Sequence, residues 1–522
     1  MRPLLLALLL LAAPAQAQDS ASASTEALEA ALGRATTRTP RDLGLQQSLE
    51  RALADNLGLR AKLRELEAAS FRAKAAIQPW LPILSASGTA HPFKTERFSD
   101  QFQAWQRMEG DDANYNVGLA AALPVGTSVN LGWSQGTFNQ LLTWEPLDPD
   151  SLEAQFLEDN ETHTRWSAFS FTLNQSLLKG ISPTWHLQTL WQAEIAVDSA
   201  EVQRDKEMTT VLANTLKAYW DLVAATQNVA IAQEGRTLAE SQREVTQARI
   251  AAGDLAPIEL LRIDETVATR SSEVLQAEQA VEEAEGRLKM VLGIPLDDEL
   301  AYARIVPTDG VDLPIPERTH DGSLQIALHG NLDLALARAN LESREIQWAA
   351  DKHGRLPTLD LNTSLTLNGS GQTTQESVSD VFARKFPDFR VGLTLAVPLP
   401  DLASWHGARA SGADVEAALL NLQQAEREVL AGIEGALLQI RSFDKQVEVA
   451  QIRIDLAEQT AAASEATYAV GRNTLRDVLE AQQALKSARQ ARVSAEVEAL
   501  KSRVDLEVLR GSLLETLGVE LE

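Results

Sequence analysis

The chain states nearly the same pattern twice, about 220 residues apart, and such a duplication constrains every other inference about its fold. Ala248-Arg249-Ile250-Ala251-Ala252-Gly253 is followed by Ile258-Glu259-Leu260-Leu261. Ala466-Thr467-Tyr468-Ala469-Val470-Gly471 is followed by Arg476-Asp477-Val478-Leu479, with glycine, carboxylate and leucine in register. Three further landmarks recur: Leu81-Pro82 with Leu356-Pro357, Trp185-His186 with Trp405-His406, and Leu292-Gly293-Ile294 with Leu517-Gly518-Val519.

The first residues carry an address. Arg2, the apolar run Leu4 to Ala13 and the triplet Ala15-Gln16-Ala17 read as a secretory signal over 1–17, with Gln18 as the first mature residue. No later run of about 18 apolar residues follows, so no transmembrane helix is expected. The chain has no cysteine, so an exported chain of this kind relies on packing or assembly. Gln18 stands where a lipoprotein needs a cysteine, which argues against a lipid anchor. The net charge of −26 argues against nucleic acid, which wants a basic face, and keeps a long surface soluble.

Residues 18–41 are rich in Ala, Ser and Thr and read as a flexible segment. The first repeat, 42–292, begins with helical signal to about Gln78, which Pro79 and Pro82 stop. Strands follow over 83–178, with period-two alternation as in Tyr115, Val117, Leu119, Ala121 and Leu123. Helix then runs from about Thr184 to Ala252, a rod of roughly 100 Å. Gly253 interrupts it, and a return helix reaches Leu292. Val267, Val274, Val281 and Leu288 are spaced by seven, the period of a left-handed coiled coil, beside an Ala277–Ala284 seam that Arg270 breaks.

Residues 293–320, with four prolines, read as a linker between repeats. The second repeat, 321–519, gives helix to about 352, strands over 357–398, a long helix to about 470, a turn at Gly471 and helix to about 517. Leu359, Leu361, Leu365 and Leu367 share a face with Thr363, and Asp360, Asn362, Ser364 and Thr366 share the other. A soluble sheet with one wet face and a membrane barrel both have this pattern. Tryptophan tips the balance toward the barrel. Seven of ten lie between residues 80 and 191, and Trp80, Trp185 and Trp405 stand at helix–strand junctions, where an aromatic girdle meets a membrane interface. The repeats differ by 55 residues in the 93–165 region, which contains a 115–133 hairpin that either joins the barrel or lies outside it. Asn368-Gly369-Ser370-Gly371 reads as a strand turn with no helix after it.

Leader, duplication, rod-length helices and the string Tyr468-Ala469-Val470-Gly471 with Asp477-Val478-Leu479-Glu480-Ala481-Gln482 together resemble one family, the TolC-like outer membrane efflux proteins. The resemblance covers roughly 42–519. It implies a mainly α fold of two helix–strand–strand–helix repeats. Three copies share one β-barrel in the outer membrane, and their helices form an α-barrel tunnel across the periplasm, docked to a periplasmic adaptor and an inner-membrane pump or ABC exporter. Four to six strands per chain are too few for a closed pore, and open edges are not tolerated in lipid, which suits a shared barrel.

The resemblance also implies roles at the helix turns. Gly253 and Gly471, with Leu475 and Arg476, would form the periplasmic tip and adaptor contact. Asp477 and Glu480, three apart on one helix face, would line the constriction as a ring of six carboxylates that favours cations. A hydrogen bond between Tyr468 and Glu259 would latch the tip, worth roughly 1–3 kcal/mol as a charge-assisted bond. Arg472 and Arg476 are the basic residues near that turn. The seven histidines are scattered without metal-ligand spacing, and no phosphate-binding loop precedes a helix, so neither an enzyme, a cofactor nor a metal is expected. The rival reading is a soluble periplasmic coiled-coil adaptor or scaffold, although such chains usually have one helical hairpin and separate β domains.

Overall fold

The computed structural model describes residues 39–152, 154–310 and 320–519, and the expected signal and most of the 18–41 segment lie outside them. Two compact units are present, one from Met1–Leu66, Ala200–Leu336 and Gln423–Glu522, the other from Glu67–Ser199 and Ala337–Leu422.

In the first unit, β1 (Pro40–Leu43) pairs in parallel with β6 (Arg304–Pro307), so the end of the presumed flexible segment and part of the presumed linker are joined as a small sheet. Helices α1 (Leu45–Asp55), α3 (Pro183–Ala251), α4 (Ile258–Leu292) and α9 (Leu475–Arg510) supply most of its core. Leu212, Leu216, Tyr219, Trp220 and Leu222 of α3 are fully buried there. The heptad positions pack as their spacing predicts: Val274, Val281 and Leu288, and Val493, Val497, Leu500 and Val504, are buried. Arg270, which interrupts the alanine seam, is also buried, and it pairs with Glu273 and with Gln483 of α9. Lys486 also binds Glu273. Burial pushes the Glu273 carboxyl up, but hydrogen bonds from Lys486 and Arg270 outweigh it and hold it below its ordinary value.

A duplicated clasp closes each return helix. The helix expected over 42–78 breaks at Asn56, before α2 (Leu57–Ala75); the one expected from 321 is split into α5 (His320–Gly330) and α6 (Leu332–Gly354) by Asn331. Asn56 Nδ2 donates to the Val291 carbonyl and its Oδ1 accepts from the Leu59 amide. Asn331 repeats this with the Leu509 carbonyl and the Leu334 amide. Each asparagine thus caps a helix and ties it to the end of a return helix, which stops at a left-handed glycine, Gly293 or Gly511. The partner of Gly293 in the duplication is therefore Gly511. The sequence landmark Gly518 instead follows the short α10 (Leu513–Thr516).

The second unit holds a six-stranded antiparallel sheet: β2 (Ile83–Ser99), β3 (Ala104–Leu123), β4 (Thr127–Pro146), β5 (Asn160–Ser176), β7 (Thr358–Gly371) and β8 (Phe386–Ala396), in that order. The extra residues of the first repeat supply β3 and β4, which lie inside the sheet between β2 and β5. The Asn368–Gly371 tetrad is the end of β7, and a helix does follow it: α7 (Thr374–Phe382) starts on a Thr373/Glu376 capping box. It lies directly on the sheet, where a Cβ on Gly369 would sit 1.9 Å from the Ser377 carbonyl oxygen, and Ser377 and Ser167 share a buried hydrogen bond. The remaining long helix is α8 (Leu402–Ala469).

Candidate functional site

Both helical hairpins turn in the same way. The Gly253 amide donates to Ile250 and the Asp254 amide to Arg249; the Gly471 amide donates to Tyr468 and the Arg472 amide to Thr467. These 5→2 and 6→1 bonds define a Schellman motif, and φ of +86° and +75° at the two glycines is the left-handed region it requires. The second turn is reinforced by a capping box that sequence reasoning missed although Thr474-x-x-Asp477 carries its signature. Thr474 Oγ1 accepts from the Asp477 amide, and the Asp477 carboxylate accepts from the Thr474 amide and hydroxyl. The Thr474 hydroxyl, then its amide, holds the Asp477 carboxyl below its ordinary value. The first turn has Pro257 at the N-cap of its return helix and no side-chain cap.

The two turns meet through Arg249, another residue with no obvious sequence signal. Its guanidinium lies 4.9 Å from the centre of the Tyr468 ring and donates to the Tyr468 carbonyl. The Tyr468 ring is buried with Ile263, Leu475 and Val478. Its hydroxyl has no partner, while Glu259 is held by Arg262, whose Nη1 donates to both carboxylate oxygens. Within the chain, the expected Tyr468–Glu259 hydrogen bond is therefore not made, because Arg262, one helical turn on, offers the carboxylate a nearer charge. Leu475 is likewise buried in this cluster and offers no surface for docking. Arg476, Asp477 and Glu480 are exposed. Exposed apolar groups near the turns are Val470, Ile258 and Leu261, at 68%, 58% and 66%.

The sheet carries the second candidate surface. Its ladders align Leu84, Leu119, Leu131, Phe171, Leu365 and Phe389 in one row across all six strands. Successive side chains alternate between faces, so the rows two residues away join the same face. One of these is Ala86, Val117, Trp133, Phe169, Leu367 and Pro387. The other face is polar or small, with Ser85, Gly118, Gly132, Ser170, Thr366 and Asp388 in one row. Its side chains bond across strands, as Thr89 does to Asn114 and Asn362 to Thr394. On β8 the apolar residues Phe389, Val391, Leu393 and Leu395 are 58–67% exposed. On β2, β3 and β4 the apolar face turns charged farther up, where Lys94 pairs with Glu109 and Arg107 with Glu96 and Glu145.

The three junction tryptophans lie between helical turns and strands of this unit, Trp185 and Trp405 at helix starts. Trp80 ends a short 3-10 turn before β2. Trp185 packs on Gly354 with the Lys179 ammonium 5.3 Å from its ring, and Trp405 has Arg409 at 4.4 Å. Among the described residues, no helix is long and apolar enough to cross a membrane, and no group of three or more His, Asp or Glu is placed to hold a metal.

Residues 323–512 match the sequence model of a family described as outer membrane efflux protein. The pyoverdine export outer membrane protein OpmQ of Pseudomonas aeruginosa is 25% identical over 60% of this chain and 63% of its own length. The outer membrane protein TolC of Escherichia coli is 24% identical over 69% of this chain and 72% of its own. The solved outer membrane channel CmeC of Campylobacter jejuni has the same fold, with a TM-score of 0.64, 15% identity, and coverage of 90% of this chain and 85% of that one.

Proposed function

We propose that this chain, which carries an outer membrane efflux protein domain, is the outer-membrane exit duct of a tripartite efflux pump or a type I secretion system. The observation that carries this reading is the apolar band crossing all six strands on one face, backed by a polar face. These apolar rows, exposed on β2, β3, β4 and β8 and half-exposed on β5 and β7, are unsuited to water and suited to lipid, with the polar face toward an aqueous lumen. An apolar band about 25 Å tall is what an outer-membrane barrel presents. The sheet is open, with β2 and β8 unpaired at its edges, and unpaired backbone edges are not stable in lipid. Several copies therefore share the barrel, and the family resemblance read from the sequence implies three. A soluble coiled-coil adaptor would have no use for such a belt.

Transport is passive: the duct supplies a path, and an inner-membrane pump or exporter supplies energy through a periplasmic adaptor. The paired Schellman turns are the adaptor's contact. Arg476 and the exposed Val470, Ile258 and Leu261 take the place that the buried Leu475 cannot fill. Asp477 and Glu480 are exposed carboxylates on one helix face, and three copies would place six of them around an axis, a device that favours cations. Asp477 is held as a carboxylate by Thr474, which suits it to a fixed ring. The aromatic junction residues Trp80, Trp185 and Trp405 anchor the barrel at the interface. No cofactor or catalytic step enters this reading.

The test is planar-bilayer conductance of the purified protein beside Asp477→Ala/Glu480→Ala. A cation-selective conductance that loses selectivity in the double variant supports both duct and ring. Unchanged selectivity removes the ring. No conductance from folded, reconstituted protein removes the duct.

A further inference from the structure

We infer that the extra hairpin β3–β4 is part of the membrane wall, so that three copies close a barrel of eighteen strands, β8 of one copy pairing with β2 of the next; this rests on the channel reading above. Three observations carry it. First, the apolar row does not skip the insertion: Leu119 and Leu131 stand in line between Leu84 and Phe171, with Asn116 and Asn130 facing the other way. A hairpin lying outside the wall would have no reason to keep both the row and the alternation. Second, the sheet is antiparallel throughout, and with an even number of strands its two edges run in opposite directions. The edge of one copy therefore meets the other edge of the next as an ordinary antiparallel ladder, and the head-to-tail contact closes on rotation.

Third, the edges fit in one register. Pairing the eleven residues of β8 in full with Ile83–Phe93, apolar face to apolar face, puts Leu395 opposite Leu84 and Leu393 opposite Ala86. In that register Val391 meets Gly88 and Phe389 meets Ala90, so that beyond the Leu395–Leu84 pair large stands against small. Pro92 meets Pro387, so the ladder ends where neither strand has an amide to give. Within one copy Leu84 lines up with Phe389, so the seam advances the chain by six residues per six strands. One residue of about 3.3 Å per strand spacing of about 4.8 Å corresponds to a tilt of roughly 35°, within the range of barrels. Eighteen strands at that tilt give a wall about 34 Å across, against roughly 22 Å for twelve. The lumen is then a wide aqueous channel suited to bulky cargo, and selection by size is left to the helical part.

The chain has no cysteine, so single cysteines report cleanly. The seam is tested by oxidising Ala86→Cys/Leu393→Cys and Ala90→Cys/Phe389→Cys proteins in outer membranes. Cross-links between copies are expected in both, and cross-links only in pairs shifted by two residues would overturn the register. The wall is tested with a charged, membrane-impermeant maleimide on Val117→Cys and Leu131→Cys, with Leu365→Cys as reference and circular dichroism to establish folding. All three are expected to resist labelling, while Asn116→Cys and Asn130→Cys on the lumenal face react at least tenfold faster. Labelling of Val117→Cys and Leu131→Cys with Leu365→Cys still protected would place the hairpin outside the wall and leave the channel reading standing. Labelling of Leu365→Cys as well would overturn the channel reading itself.

Discussion

Two glycines with nearly the same backbone conformation make a quantitative test of the packing described here. Gly471 and Gly511 have φ of +75° and +68°, and both end long helices. An alanine at either position meets the left-handed strain of an L-residue, about 1–2 kcal/mol. Around Gly471 a Cβ has no neighbour within 4 Å, so the strain is the whole cost. At Gly511 a Cβ would stand 1.9 Å from the Gly330 carbonyl oxygen and 2.5 Å from its carbon, both backbone atoms that cannot rotate away. Relief requires the α5–α6 junction to move off the end of α9, which breaks the hydrogen bond from Asn331 to the Leu509 carbonyl, worth about 1 kcal/mol, and opens close packing. The total for Gly511→Ala then reaches about 4 kcal/mol or more, in the class of severe substitutions. Urea unfolding in detergent, followed by far-ultraviolet circular dichroism, measures both. Gly471→Ala is expected to shift the midpoint slightly and Gly511→Ala to shift it severely or prevent folding. Equal shifts would refute the reasoning, because backbone conformation alone would then set the cost.

Asn331→Ala, which removes both a cap and the tie to Leu509, is expected to destabilise by about 2 kcal/mol in the same assay, and Asn56→Ala by a similar amount. Tyr468→Phe deletes a buried hydroxyl with no partner and is expected to be neutral or stabilising, with unchanged conductance; a leakier channel would restore a latch role to that hydroxyl. The Glu273 carboxyl is held below 4.5, so its stabilisation is present in full above that value and is lost as the pH falls through the lowered one. Acid titration of unfolding should therefore show a loss below about pH 4.5 that is smaller in Glu273→Gln, and identical titrations would contradict the pairing with Lys486 and Arg270.

The features legible in the sequence are those with a period or a repeated landmark. Heptads place Val281 and Val504 in the core, alternation places Leu365 and Val117 on one face, and Gly253 and Gly471 mark the turns where left-handed backbone is needed. The features that escaped depend on partners far along the chain. Asn56 and Asn331 look like ordinary helix breakers until the carbonyls they bind, 235 and 178 residues away, are in place. The Tyr468–Glu259 hydrogen bond is not made within the chain, because spacing names candidate partners without ranking them and Arg262 on the same helix holds the carboxylate. Leu475 was assigned to a surface by its place beside a turn, yet it is buried because the two hairpins pack at that level. The Thr474/Asp477 and Thr373/Glu376 boxes were readable signals left unread.

The central claim is that the six-stranded sheet resides in lipid. Fractionation of cell envelopes carrying the full chain tests it most directly. The protein is expected to sediment with the outer membrane, to stay there through high salt and alkaline washes, and to be released only by detergent. Recovery of folded protein in the soluble periplasmic fraction, or its release by salt alone, would contradict the barrel and favour a soluble coiled-coil scaffold.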